Sequence, residues 1–67
     1  MTYSQKASAN TVIKNRGAIQ RAEKIKADMN DDYITKVANE KITELTALNK
    51  ELMRINFITE QDLDRLS

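Results

Sequence analysis

Cysteine, histidine and proline are absent from this chain of 67 residues, and glycine occurs once. Without cysteine no disulfide can form, and without cysteine or histidine a zinc ion lacks its two commonest ligands. The same absences exclude the histidine-assisted pairs of nucleophilic enzymes, and one glycine is too few for a phosphate-binding loop. We therefore expect no metal, no cofactor and no catalytic activity.

Long apolar runs are also absent, and the aromatic residues are limited to Tyr3, Tyr33 and Phe57. A membrane-spanning helix needs about 18 or more consecutive apolar residues. The first six residues have no apolar core behind their charge, unlike a secretory signal. The apolar stripe of the first half is rich in alanine and has no Trp or Phe to anchor it at a membrane surface. We expect no membrane contact and a cytoplasmic location.

The residues that are present favour helices. Ala, Leu, Lys, Glu, Gln and Arg have high helix propensity, and helix breakers are nearly missing. A chain this short buries only about 60% of its unfolded surface, and chains below about 70 residues usually need a disulfide, a metal or a partner chain. Since the first two are excluded, we predict a single all-α domain over residues 1–67 that forms a dimer or higher oligomer.

The clearest periodic segment runs from residue 32 to residue 56, and we predict a long helix there. Asp31 or Asp32 is the expected cap, because a carboxylate accepts the free N–H groups at a helix start. From Leu45 onward the apolar residues follow steps of three, four and three, which is typical of a coiled-coil seam. We predict that the oligomer interface consists of Ile42, Leu45, Leu48, Leu52, Ile55 and Phe57.

A first helix is predicted from about residue 10 to residue 29, with small apolar side chains on one face. Its start is open: Thr2 with Gln5 matches a capping box that would start the helix at Tyr3, whereas Ser8 or Asn10 would cap a later start. Gly17 either allows another helix to approach closely or is a tolerated surface glycine. The short connection at residues 30–32 predicts antiparallel neighbours, a helical hairpin.

The C-terminal segment has the residues of a helix end and a new helix start. Asn56 is expected in the left-handed conformation after the long helix, with Phe57 packing back near Leu52 or Met53. Thr59 with Asp62 matches a weaker capping box, and Ile58 with Leu63 occupies the positions of a hydrophobic staple. We predict a short third helix at about residues 60–66.

The segment from Leu45 to Leu66 resembles the short C-terminal helical module known as the SHOCT domain. The resemblance is carried by leucines at helical spacing and by Asn-Phe-Ile-Thr-Glu-Gln-Asp-Leu at positions 56–63. The family usually has glycine where this chain has Asn56, and Phe is common at the position of Leu63. The resemblance implies a bacterial or phage origin and a role in oligomerisation without catalysis. It does not extend to the residues before Leu45.

Charge is distributed unevenly along the chain. Residues 1–30 contain six basic and two acidic residues, whereas residues 31–67 contain five basic and eight acidic residues. On a helical wheel Lys14, Arg21 and Lys24 share a side, and they are the candidates for binding nucleic acid or an acidic partner. The alternative is that the bases of the first helix flank the core and pair with acids of the second.

These patterns lead to two functional hypotheses. The first is a small non-catalytic helical protein that associates with itself and binds an unidentified protein partner, as a phage or bacterial regulator or inhibitor would. The second is a nucleic-acid-binding helical dimer that uses the basic first helix.

Overall fold

The computed structural model describes residues 1–66 and is helical over most of that range. In chain order it contains α1 at Tyr3–Met29, α2 at Asp32–Asn56 and α3 at Glu60–Leu66. The ranges of α2 and α3 coincide with those that the periodicity and the capping residues predict. Over residues 1–66, no helix combines the length and the apolar character that crossing a bilayer requires.

The start of α1 lies at Tyr3, so the prediction of a start near residue 10 was wrong. The capping box of Thr2 and Gln5 is present, with the Thr2 hydroxyl accepting from the Gln5 N–H at 3.2 Å. In return, Gln5 Oε1 accepts from the Thr2 N–H at 2.9 Å. Gln5 Nε2 also donates to the carbonyl of Asn56 at 2.9 Å, which ties the start of α1 to the end of α2.

A left-handed residue and an acidic cap separate α1 from α2. Asn30 adopts φ 48° and ψ 44°, a conformation that asparagine tolerates better than most residues. Asp31 then caps α2, because its Oδ1 accepts from the N–H groups of Tyr33 and Ile34 at 2.9 and 3.0 Å. Of the two aspartates that the sequence offers as caps, Asp31 is therefore the one in use.

The end of α2 corrects two predictions. Asn56 is the last helical residue, and Phe57 takes the left-handed conformation at φ 55° and ψ 42°. Asn56 stays helical because its Nδ2 donates to the carbonyl of Leu52 at 2.9 Å. The N–H of Ile58 donates to the carbonyl of Met53 at 2.9 Å, the six-to-one bond of a Schellman motif. Consequently Ile58, and not Phe57, turns back into the core, while Phe57 points into solvent.

The predicted capping box at the start of α3 is present. Asp62 Oδ2 accepts from the Thr59 N–H at 2.9 Å, and the Thr59 hydroxyl accepts from the Asp62 N–H at 3.2 Å. Ile58 and Leu63 are both buried, as the hydrophobic staple requires. α3 therefore packs onto α1 through residues that also fix its own start.

The core is small and lies mainly where the three helices meet. Ala9 and Val12 of α1 pack with Ile58 and Leu63, and partly buried side chains surround them: Ile13, Leu52, Met53 and Leu66. Ala38 and Leu45 continue the buried face of α2. Gly17 is half-buried, and among residues 1–66 no other helix approaches it closely, because a Cβ there would meet only Arg21 Nη1, at 3.4 Å.

Three of the polar contacts between α1 and α2 show how the two helices face each other. Besides Gln5 with Asn56, Asn15 Nδ2 donates to Asn49 Oδ1 at 3.0 Å. Lys26 Nζ donates to Asn39 Oδ1 at 3.0 Å. The start of α1 thus contacts the end of α2, and the end of α1 contacts the first half of α2.

Candidate interaction surface

The leucine seam of α2 is divided between the interior and the solvent. Leu45 is buried, Ile42 is half-buried and Leu52 packs against the core. Leu48 and Ile55, by contrast, expose 46% and 56% of their surface. Ile42 and Ile55 lie about 140° apart around the helix, so α1 covers one part of the seam and leaves the other part exposed. Of the predicted interface residues, Leu48, Ile55 and Phe57 are the exposed ones.

A second heptad pattern follows the exposed side of α2. We call it the outer seam, and it consists of Val37, Lys41, Glu44, Leu48, Glu51 and Ile55. Successive members are four, three, four, three and four residues apart, and all six are exposed. A search for apolar residues at heptad spacing does not find this pattern, because three of its six positions are charged. Sequence reasoning missed Lys41, Glu44 and Glu51 for that reason. It also missed Val37, because only the charged Lys41 and Glu44 connect it to Leu48 at heptad spacing.

An apolar groove lies between α1 and α2 near their connection. Its volume is about 300 Å³, and its walls include Ala22, Ile25, Tyr33, Ile34, Val37 and Lys41. Ile25, Tyr33 and Val37 are exposed there. The groove shares Val37 and Lys41 with the outer seam, so the two form one continuous surface.

This surface lies on the side of the α1–α2 pair that α3 leaves open. α3 reaches α1 at Ile13, and Arg16 of α1 bonds Glu60 of α3. Ala22 and Ile25 lie roughly opposite Ile13 and Arg16 around the axis of α1, at about 100° of rotation per residue. Within residues 1–66, nothing covers the apolar side chains on that side.

Phe57 is exposed in an uncommon backbone conformation. Its relative exposure is 83%, and left-handed φ angles are disfavoured for bulky residues. Aromatic side chains are enriched at the cores of protein interfaces. The chain therefore exposes to solvent a residue type that protein interfaces commonly bury.

The basic candidates Lys14, Arg21 and Lys24 lie together on the outer face of α1, and all three are exposed. None of them forms an ion pair with another of residues 1–66. Arg16 instead binds Glu60 of α3 through two contacts of 2.9 and 2.6 Å. Lys26 pairs with Glu23 of its own helix at 3.5 Å. The expected pairing of these bases with acids of α2 is not seen among the described residues.

Three carboxylates at or near the surface have pKa values that their hydrogen-bond partners lower. The pKa of Glu60 falls mainly because Arg16 donates hydrogen bonds to it. The pKa of Asp62 falls mainly because it accepts the Thr59 N–H, and that of Glu51 because it accepts from Arg54. A carboxylic acid that transfers protons near neutral pH needs a raised pKa. The lowered pKa values instead favour the charged carboxylates. These carboxylates form contacts near helix ends and hold α3 against α1.

Comparisons with protein-family models, with curated proteins and with solved structures give no match for this chain. The geometry of the chain is therefore the basis for assigning its surfaces. On that basis the outer seam with its adjoining groove is the main candidate, and the basic face of α1 is the second.

Proposed function

We propose that this is a non-catalytic helical protein that associates with a second copy of itself and presents a rigid helical surface to a protein partner. In this proposal α1 and α2 form an antiparallel hairpin. The order of the contacts Gln5–Asn56, Asn15–Asn49 and Lys26–Asn39 supports that arrangement. A regulator or inhibitor of bacterial or phage origin would act in this way, by occupying a surface of its target.

The observation that carries the proposal is the uncovered apolar side of the α1–α2 pair. Val37, Leu48 and Ile55 remain exposed along the outer seam, and Ile25 and Tyr33 at the groove. Fully burying a large aliphatic side chain is worth about 1.5–3 kcal/mol. The core of this chain is small, and a typical free energy of unfolding is only about 5 kcal/mol. The free energy gained by covering this side with a second chain is large by comparison.

The resemblance of residues 45–66 to the SHOCT module supports the same proposal. That resemblance implies oligomerisation, and it covers the half of α2 that contains Leu48 and Ile55 together with α3. The tight cap at Thr59 and Asp62 gives this segment a defined shape on which a partner can dock. Phe57 is the residue that we assign to a protein partner or to the second copy.

Sedimentation equilibrium of the purified protein over a range of concentrations tests self-association. We expect a dimer or higher oligomer at micromolar concentration, and we expect Leu48→Glu to be monomeric but still helical. Thr43→Glu is the matched control, because Thr43 is exposed and lies about 140° around the helix from Leu48, away from the outer seam. A wild-type chain that sediments as a compact monomer at micromolar concentration would contradict the proposal.

Nucleic-acid binding is the second candidate function, and one specific observation favours it. Lys14, Arg21 and Lys24 form an exposed set on α1, with no acidic partner among residues 1–66. Such a set suits phosphate contacts, which release counterions and therefore weaken with salt.

Fluorescence anisotropy with short mixed-sequence DNA and RNA tests this second candidate. Three phosphate contacts predict that the logarithm of the binding constant falls with the logarithm of salt concentration at a slope of about −2 to −3. Changing Lys14, Arg21 and Lys24 to Gln should abolish binding, whereas Lys36→Gln with Lys50→Gln on α2 should not. Absence of binding by the wild type at low salt would remove this function.

A further inference from the structure

We infer that the outer seam of α2 is occupied by the outer seam of a second copy, with the two α2 helices antiparallel about a two-fold axis near residue 46. This inference rests on the proposed self-association and specifies the surface, the orientation and the register. It uses the six residues of the outer seam and their charges.

The spacing of the outer seam is that of a two-stranded coiled coil. Lys41, Leu48 and Ile55 are seven residues apart, and so are Val37, Glu44 and Glu51. The two sets are therefore the a and d positions of one heptad repeat. The seam extends over the 18 residues from Val37 to Ile55, or about 27 Å of helix.

The charges on the seam decide between the two orientations. In a parallel pair each residue meets its own copy, so Lys41 would face Lys41, and Glu44 and Glu51 would likewise face their own copies. Three of six layers would then join like charges, which is unfavourable in a buried seam. An antiparallel pair places a positions against d positions and removes every one of these like-charge layers.

The antiparallel register centred near residue 46 pairs opposite charges or apolar residues in four of its six layers. Lys41 faces Glu51 of the second copy, and Val37 faces Ile55 of the second copy. By symmetry each of these layers occurs twice. Leu48 faces Glu44 of the second copy in the two central layers, where the methylene groups of Glu44 can lie along the leucine and its carboxylate can reach solvent.

A register shifted by one heptad is the nearest alternative. It would pair Val37 with Leu48, and Lys41 with Glu44, of the second copy. Ile55 would then lie beyond the start of the second α2, opposite the connection at Asn30, and would remain exposed. The register centred near residue 46 covers all three exposed apolar residues of the seam and is therefore favoured.

The same register gives the apolar groove an occupant. The end of α2 in the second copy lies over Val37, and Phe57 follows two residues beyond Ile55 in that copy. Phe57 of the second copy is therefore level, along the pair, with the groove residues Ile34 and Val37. The register thus brings an exposed aromatic residue and an exposed apolar groove to the same end of the pair.

Two single-cysteine variants, Val37→Cys and Ile55→Cys, test the orientation directly because the chain has no cysteine of its own. A disulfide requires Cα atoms within about 7 Å of each other. In the antiparallel pair, each cysteine lies about 27 Å from its own copy. We expect neither variant alone to form a disulfide-linked dimer under mild oxidation, and an equimolar mixture of the two to do so.

The outcomes separate this inference from the proposed function. Cross-linking of Ile55→Cys by itself would overturn the antiparallel arrangement, although self-association would stand. An oligomer in sedimentation without cross-linking in the mixture would place the interface in another register or on another face, and either result would overturn the inference. A wild-type monomer would overturn the inference together with the proposed self-association.

Charge exchange tests the register. Lys41→Glu should weaken the dimer at least tenfold, since it places like charges in two layers. Adding Glu51→Lys should restore most of the affinity, with Glu51→Lys alone as the control for the loss of its contact to Arg54. Restoration by Glu44→Lys and not by Glu51→Lys would overturn this register in favour of the shifted one.

Discussion

At the scale of single residues, the most informative position is Phe57. It combines a left-handed backbone with an exposed aromatic ring, whereas Asn56, the residue type better suited to that backbone, stays helical. A left-handed conformation costs a residue with a side chain about 1–2 kcal/mol. Because no residue among 1–66 buries the ring, its burial does not offset this cost, which agrees with the proposed role of Phe57 as a contact residue.

Replacing Phe57 with glycine should therefore stabilise the isolated chain and weaken its association. In the monomeric Leu48→Glu background, we expect Phe57→Gly to raise the free energy of unfolding by about 1 kcal/mol, because glycine adopts positive φ without strain. Urea denaturation followed by circular dichroism measures this. Phe57→Ala removes the ring but keeps the strain, so a gain of equal size in that variant would contradict the explanation.

Asn49 is the other residue whose chemistry stands out, since it is polar and only 6% exposed. It accepts a hydrogen bond from Asn15 at 3.0 Å, and its own Nδ2 approaches the Val12 carbonyl at 3.5 Å. A buried asparagine between helices favours one register, because sliding the helices would leave it unpaired. It therefore helps to fix how α1 and α2 align.

We expect Asn49→Ala to lower the free energy of unfolding by about 1–3 kcal/mol, since it removes the buried partner of Asn15 and leaves a space. A double-mutant cycle with Asn15→Ala should give a coupling of about 1 kcal/mol. Asn10→Ala is the control, because Asn10 is an exposed asparagine on α1, the helix that contains Asn15. Additive effects of the Asn15 and Asn49 changes would show that their contact contributes nothing to stability.

At the scale of helices, local chemistry was sufficient where caps and periodicity agree. Residues 30–32 and the pair Thr59–Asp62 determined the starts of α2 and α3 through contacts within four residues. The start of α1 was misjudged because Thr2 and Gln5 precede the apolar stripe that served as the guide. The faces of α2 were the harder problem, since which half of the seam turns inward depends on the position of α1 in space. Sequence periodicity does not contain that information.

α3 should respond to acid because its ionised carboxylates hold it in place. The pKa values of Glu60 and Asp62 are lowered in the folded chain by Arg16 and Thr59. They therefore favour the folded state above their ordinary pKa values of about 4, and this contribution is lost as pH falls through the lowered values. We expect the urea midpoint to decrease from about pH 5 to about pH 3.

The double variant Glu60→Gln with Asp62→Asn isolates the contribution of α3. It should be less stable than the wild type at neutral pH and should show a flatter dependence on pH. The Glu51–Arg54 pair of α2 remains in both proteins, so the difference between the two curves reports α3 alone. Parallel curves would mean that these two carboxylates do not couple α3 docking to pH.

At the scale of the whole molecule, the limited core leads us to expect that stability is linked to the proposed self-association. Only six apolar residues are buried among residues 1–66, and none of them is aromatic. The apolar side chains that a larger domain would place inside lie instead along the outer seam and the groove. Covering them requires a second chain, and a chain that binds only in the folded state stabilises that state by mass action.

The unfolding temperature of the wild type should accordingly rise with protein concentration. A tenfold increase changes the free energy available from dimerisation by about 1.4 kcal/mol per dimer. For a domain of this size, each kcal/mol shifts the midpoint by about 4–8 °C, so a shift of several degrees is expected over each tenfold range. Thermal unfolding by circular dichroism over a hundredfold range of concentration measures this shift.

Leu48→Glu should melt at a lower temperature that does not depend on concentration, because only the internal core stabilises its fold. A wild-type midpoint that is equally independent of concentration would mean that this small core is sufficient alone, and that the outer seam contributes nothing to stability.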